Sequence, residues 1–381
     1  MPEITSTGAS FGVLSHIASN VSAPIVERRD YRYERRTALQ KITRLPRLKK
    51  CGNTPISSAS VEIGVTGGVA HFRNLATCGS VWACPVCSAK ILAARSIEIA
   101  EAIERWTSLG GSFAFQTLTM SHHRRTGLKA ASRALAKAFT ATNAGRFSGV
   151  HKSFGQVGYL KSVEITHGVN GWHVHLHILR FLDDWLDDSD IESWSQLIYG
   201  KWSTSLVNQG FARPSLKAQD MHMVKVGKDL DGYFTKAFDN PRDLAGEAFT
   251  ASAGHGRTPW QLFDSALTDE SGNDMQLWHE YERATKGEHQ VAWSKDLRSM
   301  LGMGAIGSDE ELAAATPAFE PLIRVERQSV QTLGKLGGVT SRVLRHVERG
   351  DLAIAVALFE EHGIEFVLTA AGIKLMPQKP S

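Results

Sequence analysis

The sequence predicts an α+β fold: a central antiparallel sheet with flanking helices, preceded by a small cysteine-bearing module and followed by a mostly helical C-terminal region. Residues 113–120, 158–166, 171–181 and 221–226 alternate apolar and polar side chains as strands do. Stretches of helical periodicity lie between them, in the order strand, helix, hairpin, helix, strand, helix. Gly168 and Gly171 bound a tight turn between the second and third strands, which therefore run antiparallel. All four cysteines lie ahead of the first strand, between Cys51 and Cys87.

At 381 residues the chain has room for two or three units. We divide it into a basic N-terminal arm over 1–50, a cysteine module with a linking helix over 51–110, a sheet domain over 111–240, a helical extension over 241–317 and a small module over 318–381. No run of 18 apolar residues occurs, and residues 1–20 lack a charged start followed by an apolar core. A cytoplasmic protein that crosses no membrane is expected. The net charge of +4 is concentrated at the front, where residues 1–50 hold ten Lys or Arg against four Asp or Glu. That run includes Arg35 and Arg36, is interleaved with Tyr31 and Tyr33, and suits either nucleic-acid phosphates or a solvated helix.

In chain order, Cys84-Pro85-Val86-Cys87 has the spacing of a zinc knuckle, whose two thiolates bite one ion. Cys78 and Cys51 complete a four-thiolate tetrahedron, with His71 as a substitute for Cys51. A closed site of that kind is structural, and Zn²⁺ is the ion expected. A helix over 89–109 ends at Gly110-Gly111. The strand over 113–120 leads into the basic turn His122-His123-Arg124-Arg125, where Arg124 and Arg125 suit either DNA phosphates or a plain exposed loop. Helices follow over 128–147 and 183–208, the latter with Trp185, Trp194 and Trp202 at near-helical intervals, read as core. A helix over about 228–238 places Tyr233 and Lys236 on one face. Residues 239–258 read as a linker, 277–285, 343–350 and 352–362 as helices, and 364–369 as extended.

The chemistry gathers on His173-Val174-His175-Leu176-His177. Alternation along a strand puts the three histidines on one face, with Val174, Leu176 and Ile178 on the other. Across the hairpin turn, Glu164 can sit opposite them as a carboxylate ligand. Two imidazoles and a carboxylate leave coordination positions open, as a catalytic divalent ion needs.

The Phe- and Thr-rich strand Phe115-Gln116-Thr117-Leu118-Thr119, then His175-Leu176-His177, then Tyr233 to Lys236, resembles the HUH endonucleases. More narrowly it resembles plasmid rolling-circle replication initiators with a single catalytic tyrosine, which carry a similar cysteine cluster. The resemblance spans roughly residues 51–238 and implies a central antiparallel sheet with the histidines in its middle. It implies Glu164, His175 and His177 as ligands of Mg²⁺ or Mn²⁺, and Tyr233 as the nucleophile that nicks origin DNA to leave a 5′-phosphotyrosine and a free 3′-hydroxyl. Asp229, one turn before Tyr233, stands where the family usually has a glutamate that activates water for the terminating cleavage. Lys236 would position the phosphate or lower the tyrosine pKa, and His173 would contact DNA. Origin DNA, a host helicase and a host polymerase are the expected partners. The rival readings are a relaxase or single-strand transposase of the same superfamily, and a non-catalytic, zinc-dependent DNA-binding regulator.

Overall fold

The structure is a computed structural model and describes residues 25–56, 58–225 and 256–376. The expected helix over 228–238, with Asp229, Tyr233 and Lys236, lies outside the described residues, as does nearly all of the linker.

The elements run α1 (Ile25–Ile42), α2 (Pro46–Lys50), β1 (Val61–Thr66), β2 (Val69–Arg73), α3 (Pro85–Ser108), β3 (Ser112–Thr119), α4 (Leu128–Asn143), α5 (Arg146–Ser153), β4 (Gln156–Gly168), β5 (Gly171–Leu182), α6 (Asp188–Asn208) and β6 (Asp220–Val224). After the undescribed stretch come α7 (Pro259–Ala266), α8 (Asn273–Thr285), β7 (Val291–Trp293), α9 (Leu297–Met300), α10 (Asp309–Ala314), β8 (Pro321–Val325), α11 (Arg327–Lys335), α12 (Gly337–Glu348), α13 (Leu352–Glu361), β9 (Phe366–Leu368) and α14 (Ala370–Leu375). The fold is α+β, as expected, with two antiparallel sheets.

The larger sheet has the order β6-β3-β5-β4-β7, so the histidine strand β5 is central. One face, lined by Val174, Leu176 and Ile178, is buried beneath α4 and α6, whose Trp194 and Trp202 are fully buried. The opposite face is closed at one end by α3. There Trp106 donates its indole N–H to Leu182 O at 3.0 Å and packs on Phe181, which meets Phe113 edge-on. At its other end, where β3 and β5 carry threonines and histidines, that face is only half covered.

Several elements differ from expectation for local reasons. The helix expected over 128–147 divides at Ala144-Gly145, where Ala144 is extended and Gly145 has φ +60°, a conformation that favours glycine. The tryptophan helix begins at Asp188, capped by the Asp187 carboxylate accepting from Asp190 N. Trp185 thus precedes the helix and is half exposed, so it is not core, unlike Trp194 and Trp202.

The smaller sheet, β2-β1-β8-β9, joins the front of the chain to its end: β1 pairs with β8. Residues 61–73 and 321–368 thereby share one sheet and a second apolar cluster with α11, α12 and α13. β7, from the extension expected to be helical, adds the edge strand beside β4.

Below the large sheet, fully buried Arg180 donates to Gln116 and Gln156 and lies 5.1 Å from the Trp194 ring. His151 accepts from Trp194 Nε1 at its Nδ1 (3.0 Å) and donates from Nε2 to Thr142 O (2.5 Å). This neutral tautomer is fully satisfied, and burial, helped by the Arg180 charge, depresses its pKa to about 4. The unfolded chain titrates near 6.5, so the native state binds the proton less readily, and stability is lost as pH falls from about 6.5 towards 4. We expect a loss of up to about 3 kcal/mol from this group over that window. Denaturant titrations at several pH values should show the slope flattening in His151→Gln. An unchanged slope would refute the assignment.

Candidate metal centres and the open sheet face

The hairpin register pairs Glu164 with His175, Ser162 with His177 and Thr166 with His173. On the other side, β3 sets Thr117 against His177 and Thr119 against His175. Glu164 Oε2 lies 2.6 Å from His175 Nε2 and 2.7 Å from His177 Nε2. The three ligand-type atoms all fall within 4.8 Å of one another, so the predicted triad is brought together. Burial works to raise the Glu164 pKa, but the hydrogen bonds and charge of the two histidines outweigh it and hold the carboxyl well below the usual range.

Thr117 Oγ1 meets His177 Nδ1 at 3.2 Å. In the neutral tautomer with the proton on Nδ1, Nε2 offers its lone pair beside the carboxylate, as a metal ligand would. That donor set fits a divalent ion: one carboxylate oxygen and two imidazole nitrogens, with one imidazole oriented from behind. Sequence patterning does not single out Thr117; only the β3–β5 pairing places it there. Phe115 stacks on His177 with 5.7 Å between ring centres and also lies 5.7 Å from His222, which bonds Asp220 at 3.0 Å. His173 shares the histidine face, and His122 stacks on it at 4.7 Å, a contact that strand alternation alone does not reveal.

The second centre is Cys51, Cys78, Cys84 and Cys87, all buried and unbridged. Cys51 Sγ lies 3.8 Å from Cys84 Sγ and 3.5 Å from Cys87 Sγ, and Cys78 Sγ lies 3.6 Å from Cys87 Sγ. A tetrahedron with Zn–S bonds of about 2.3 Å places its sulfurs about 3.8 Å apart, so the cluster fits a metal ion. Cys84 caps α3, whose first residue is Pro85, and accepts from Cys87 N. The helix N-terminus thus faces the thiolates it stabilises. Gly52 follows Cys51 with φ +69°, and a Cβ there would stand 2.0 Å from the Arg36 guanidinium, so the cluster's first corner requires glycine. Cys51 completes the cluster, so His71 is not needed as its substitute.

The basic arm does not behave as expected at Arg35 and Arg36. Both are buried. Arg35 pairs with Asp264 and lies 4.0 Å from the Tyr31 ring centre, and Arg36 lies 4.6 Å from that of Tyr33, against Gly52. Their charges brace α1 against α7 and the cysteine cluster, so they are corrected from DNA contacts to internal braces. Arg124 and Arg125 are exposed on the loop after β3, and the Arg124 side chain donates to Val169 O at the hairpin tip.

Two outcomes follow from this geometry. Titration of Mn²⁺ into the protein, followed by electron paramagnetic resonance, should show one site whose affinity falls at least tenfold in Glu164→Gln and His177→Ala and by roughly tenfold in Thr117→Val. Binding undiminished in all three would remove the triad as a metal site. Elemental analysis should find one zinc per chain. A Cys84→Ser variant should lose that zinc and unfold at markedly lower temperature, because structural zinc binding contributes to folding; wild-type protein without zinc would overturn the assignment.

No helix among the described residues is long and apolar enough to cross a membrane. No solved structure matches the chain. The protein called "Protein rep" from Streptomyces lividans is 24% identical over 319 residues, covering 67% of this chain and 70% of that one. A protein called "Neomycin resistance protein" from Streptomyces cyanogenus is 31% identical over 138 residues, 29% of this chain and 32% of its own length. The family model described as "Replication protein" matches residues 70–196, which hold three of the four clustered cysteines, strands β3 to β5 and the whole Glu164, His175 and His177 triad. Over that stretch the chain is similar to the replication-protein family, in agreement with the resemblance to plasmid replication initiators that its motifs carry.

Proposed function

We propose that this protein initiates rolling-circle replication of a plasmid by nicking one strand of origin DNA. The observation that carries the reading is the convergence of Glu164, His175 and His177 on the half-open face of the central sheet of a replication protein. A phosphodiester must have the charge on its non-bridging oxygens neutralised and its nucleophile held in line with the leaving oxygen. Mg²⁺ or Mn²⁺ in the triad would supply positive charge beside the scissile phosphate. Glu164 and the two histidines fix where that phosphate sits. The rigid hairpin beneath them prevents the site from relaxing away from it.

Tyr233 then attacks phosphorus. A Tyr233 oxygen–phosphorus bond forms as the bond to the 3′-oxygen breaks. The phenolic proton is lost, the 3′-oxygen leaves as a hydroxyl after taking up a proton, and a 5′-phosphotyrosine remains. The phosphodiester energy is kept in that linkage for rejoining, while the 3′-hydroxyl is available to a host polymerase. Lys236 positions the phosphate or favours the phenolate, and Asp229 takes the proton of the water that ends the cycle. A host helicase would open the duplex ahead of the growing strand. The four-cysteine cluster holds Zn²⁺ as a structural element under α3, and His173, Arg124 and Arg125 contact DNA around the nick.

Incubation with a labelled single-stranded origin hairpin and Mn²⁺, followed by a denaturing protein gel, tests this. Wild type should give a shifted, metal-dependent adduct that disappears in Tyr233→Phe and falls by at least 10²-fold in His177→Ala. An adduct that persists in Tyr233→Phe means another nucleophile. Tight, metal-independent DNA binding with no cleavage of any hairpin or plasmid would replace the enzyme with a zinc-dependent regulator.

A further inference from the structure

At the tip of the β4–β5 hairpin a cavity of about 700 Å³ opens between four segments, apart from the triad residues themselves. Arg44 enters it from the α1–α2 connection, Arg124 from the loop after β3, His167 from the end of β4, and His279 and Arg283 from α8. All three arginines are exposed, and none is ion-paired with a carboxylate among the described residues. One acid shares this wall, Glu280, which accepts from Leu128 N at 2.7 Å. His279 Nε2 bonds Ile42 O at 2.9 Å, tying α8 to the end of α1.

Three arginines outside the cavity are paired with carboxylates: Arg29 with Glu348, Arg95 with Asp309 and Arg257 with Asp274, at 2.6 to 2.9 Å. Three guanidiniums against the one carboxylate in the lining leave the concavity net positive, which raises its affinity for anions. The cavity also connects to the triad. His122 stacks on His173, His173 packs on His175, and two residues after His122 the Arg124 side chain reaches Val169 O at the tip. From His175 to Gly171 is four residues of strand, about 13 Å.

We infer that this cavity is a second phosphate-binding subsite, which takes the backbone of the DNA strand as it leaves the triad over the hairpin tip, with Arg44 and Arg283 as its main contacts. The inference deepens the nicking reading and rests on it for the identity of the polyanion.

The test uses the full chain and a fluorescent single-stranded oligonucleotide long enough to run from the triad past the tip, with affinity measured by anisotropy across a salt series. Arg44→Ala with Arg283→Ala should weaken binding on the order of tenfold and make the plot of log affinity against log salt shallower by about 1.4, the value for two lost phosphate contacts on a single strand. Arg44→Lys with Arg283→Lys should keep most of the slope. Unchanged affinity and slope would overturn the subsite, and so would a loss of affinity at unchanged slope, which would trace to packing. If the wild type forms the covalent adduct while the alanine pair binds normally, the subsite fails and nicking stands. If no adduct forms but the slope responds, the subsite stands and nicking fails.

Discussion

The pairing of Glu164 with His175 across one hairpin is the constraint on which the rest of the site depends. Side chains alternate along a strand, so a slip of one residue would send Glu164 to the face packed by α4 and α6 and bury an unpaired carboxylate among Val174, Leu176 and Ile178. The register is held from both sides. β5 is bonded to β3 and β4 along its length, and the apolar face beneath it is filled by Trp194 and Trp202. The same packing that stabilises the sheet therefore places three ligand atoms within 4.8 Å.

A second consequence is the division of the histidine face. Towards Leu182, α3 closes it with Trp106 on Phe181; towards Gly171 it stays polar and half open. α3 starts at the cysteine cluster, with Cys84 as its cap, so a metal ion held there fixes the beginning of the helix that limits the open face. The two candidate metal centres differ in their donor sets: one gathers four buried sulfurs, and the other a carboxylate and two imidazoles.

Charge is handled differently on the two sides of the molecule. Arg35, Arg36 and Arg180 are desolvated and held by carboxylate, aromatic or amide partners, where each stabilises packing. Arg44, Arg124 and Arg283 remain at the surface around the hairpin tip. A run of basic residues in the sequence therefore separates into internal braces and surface cations only once α1 packs against α7, α12 and the cysteine corner.

Local pattern by itself determined the α+β class, the hairpin and the ligand pairs His175/His177 and Cys84/Cys87, while Glu164, Cys51 and Cys78 as their partners came with the hairpin register and the family resemblance. Periods of 2 and 3.6 are written into consecutive residues, and ligands two or three apart meet through local geometry. Trp185 departs from its expected place in the core because helical spacing does not say where a helix starts; the Asp187 cap does. Arg35 and Arg36 depart from the expected DNA contacts because the partners that bury them, Asp264 and Gly52, lie far away along the chain or turn towards them only through a positive φ. Thr117 behind His177, His122 over His173 and the joining of β1 to β8 are contacts between distant segments. Only tertiary structure decided them, because pairing between remote strands is selected by the whole core and leaves no periodic mark on either one.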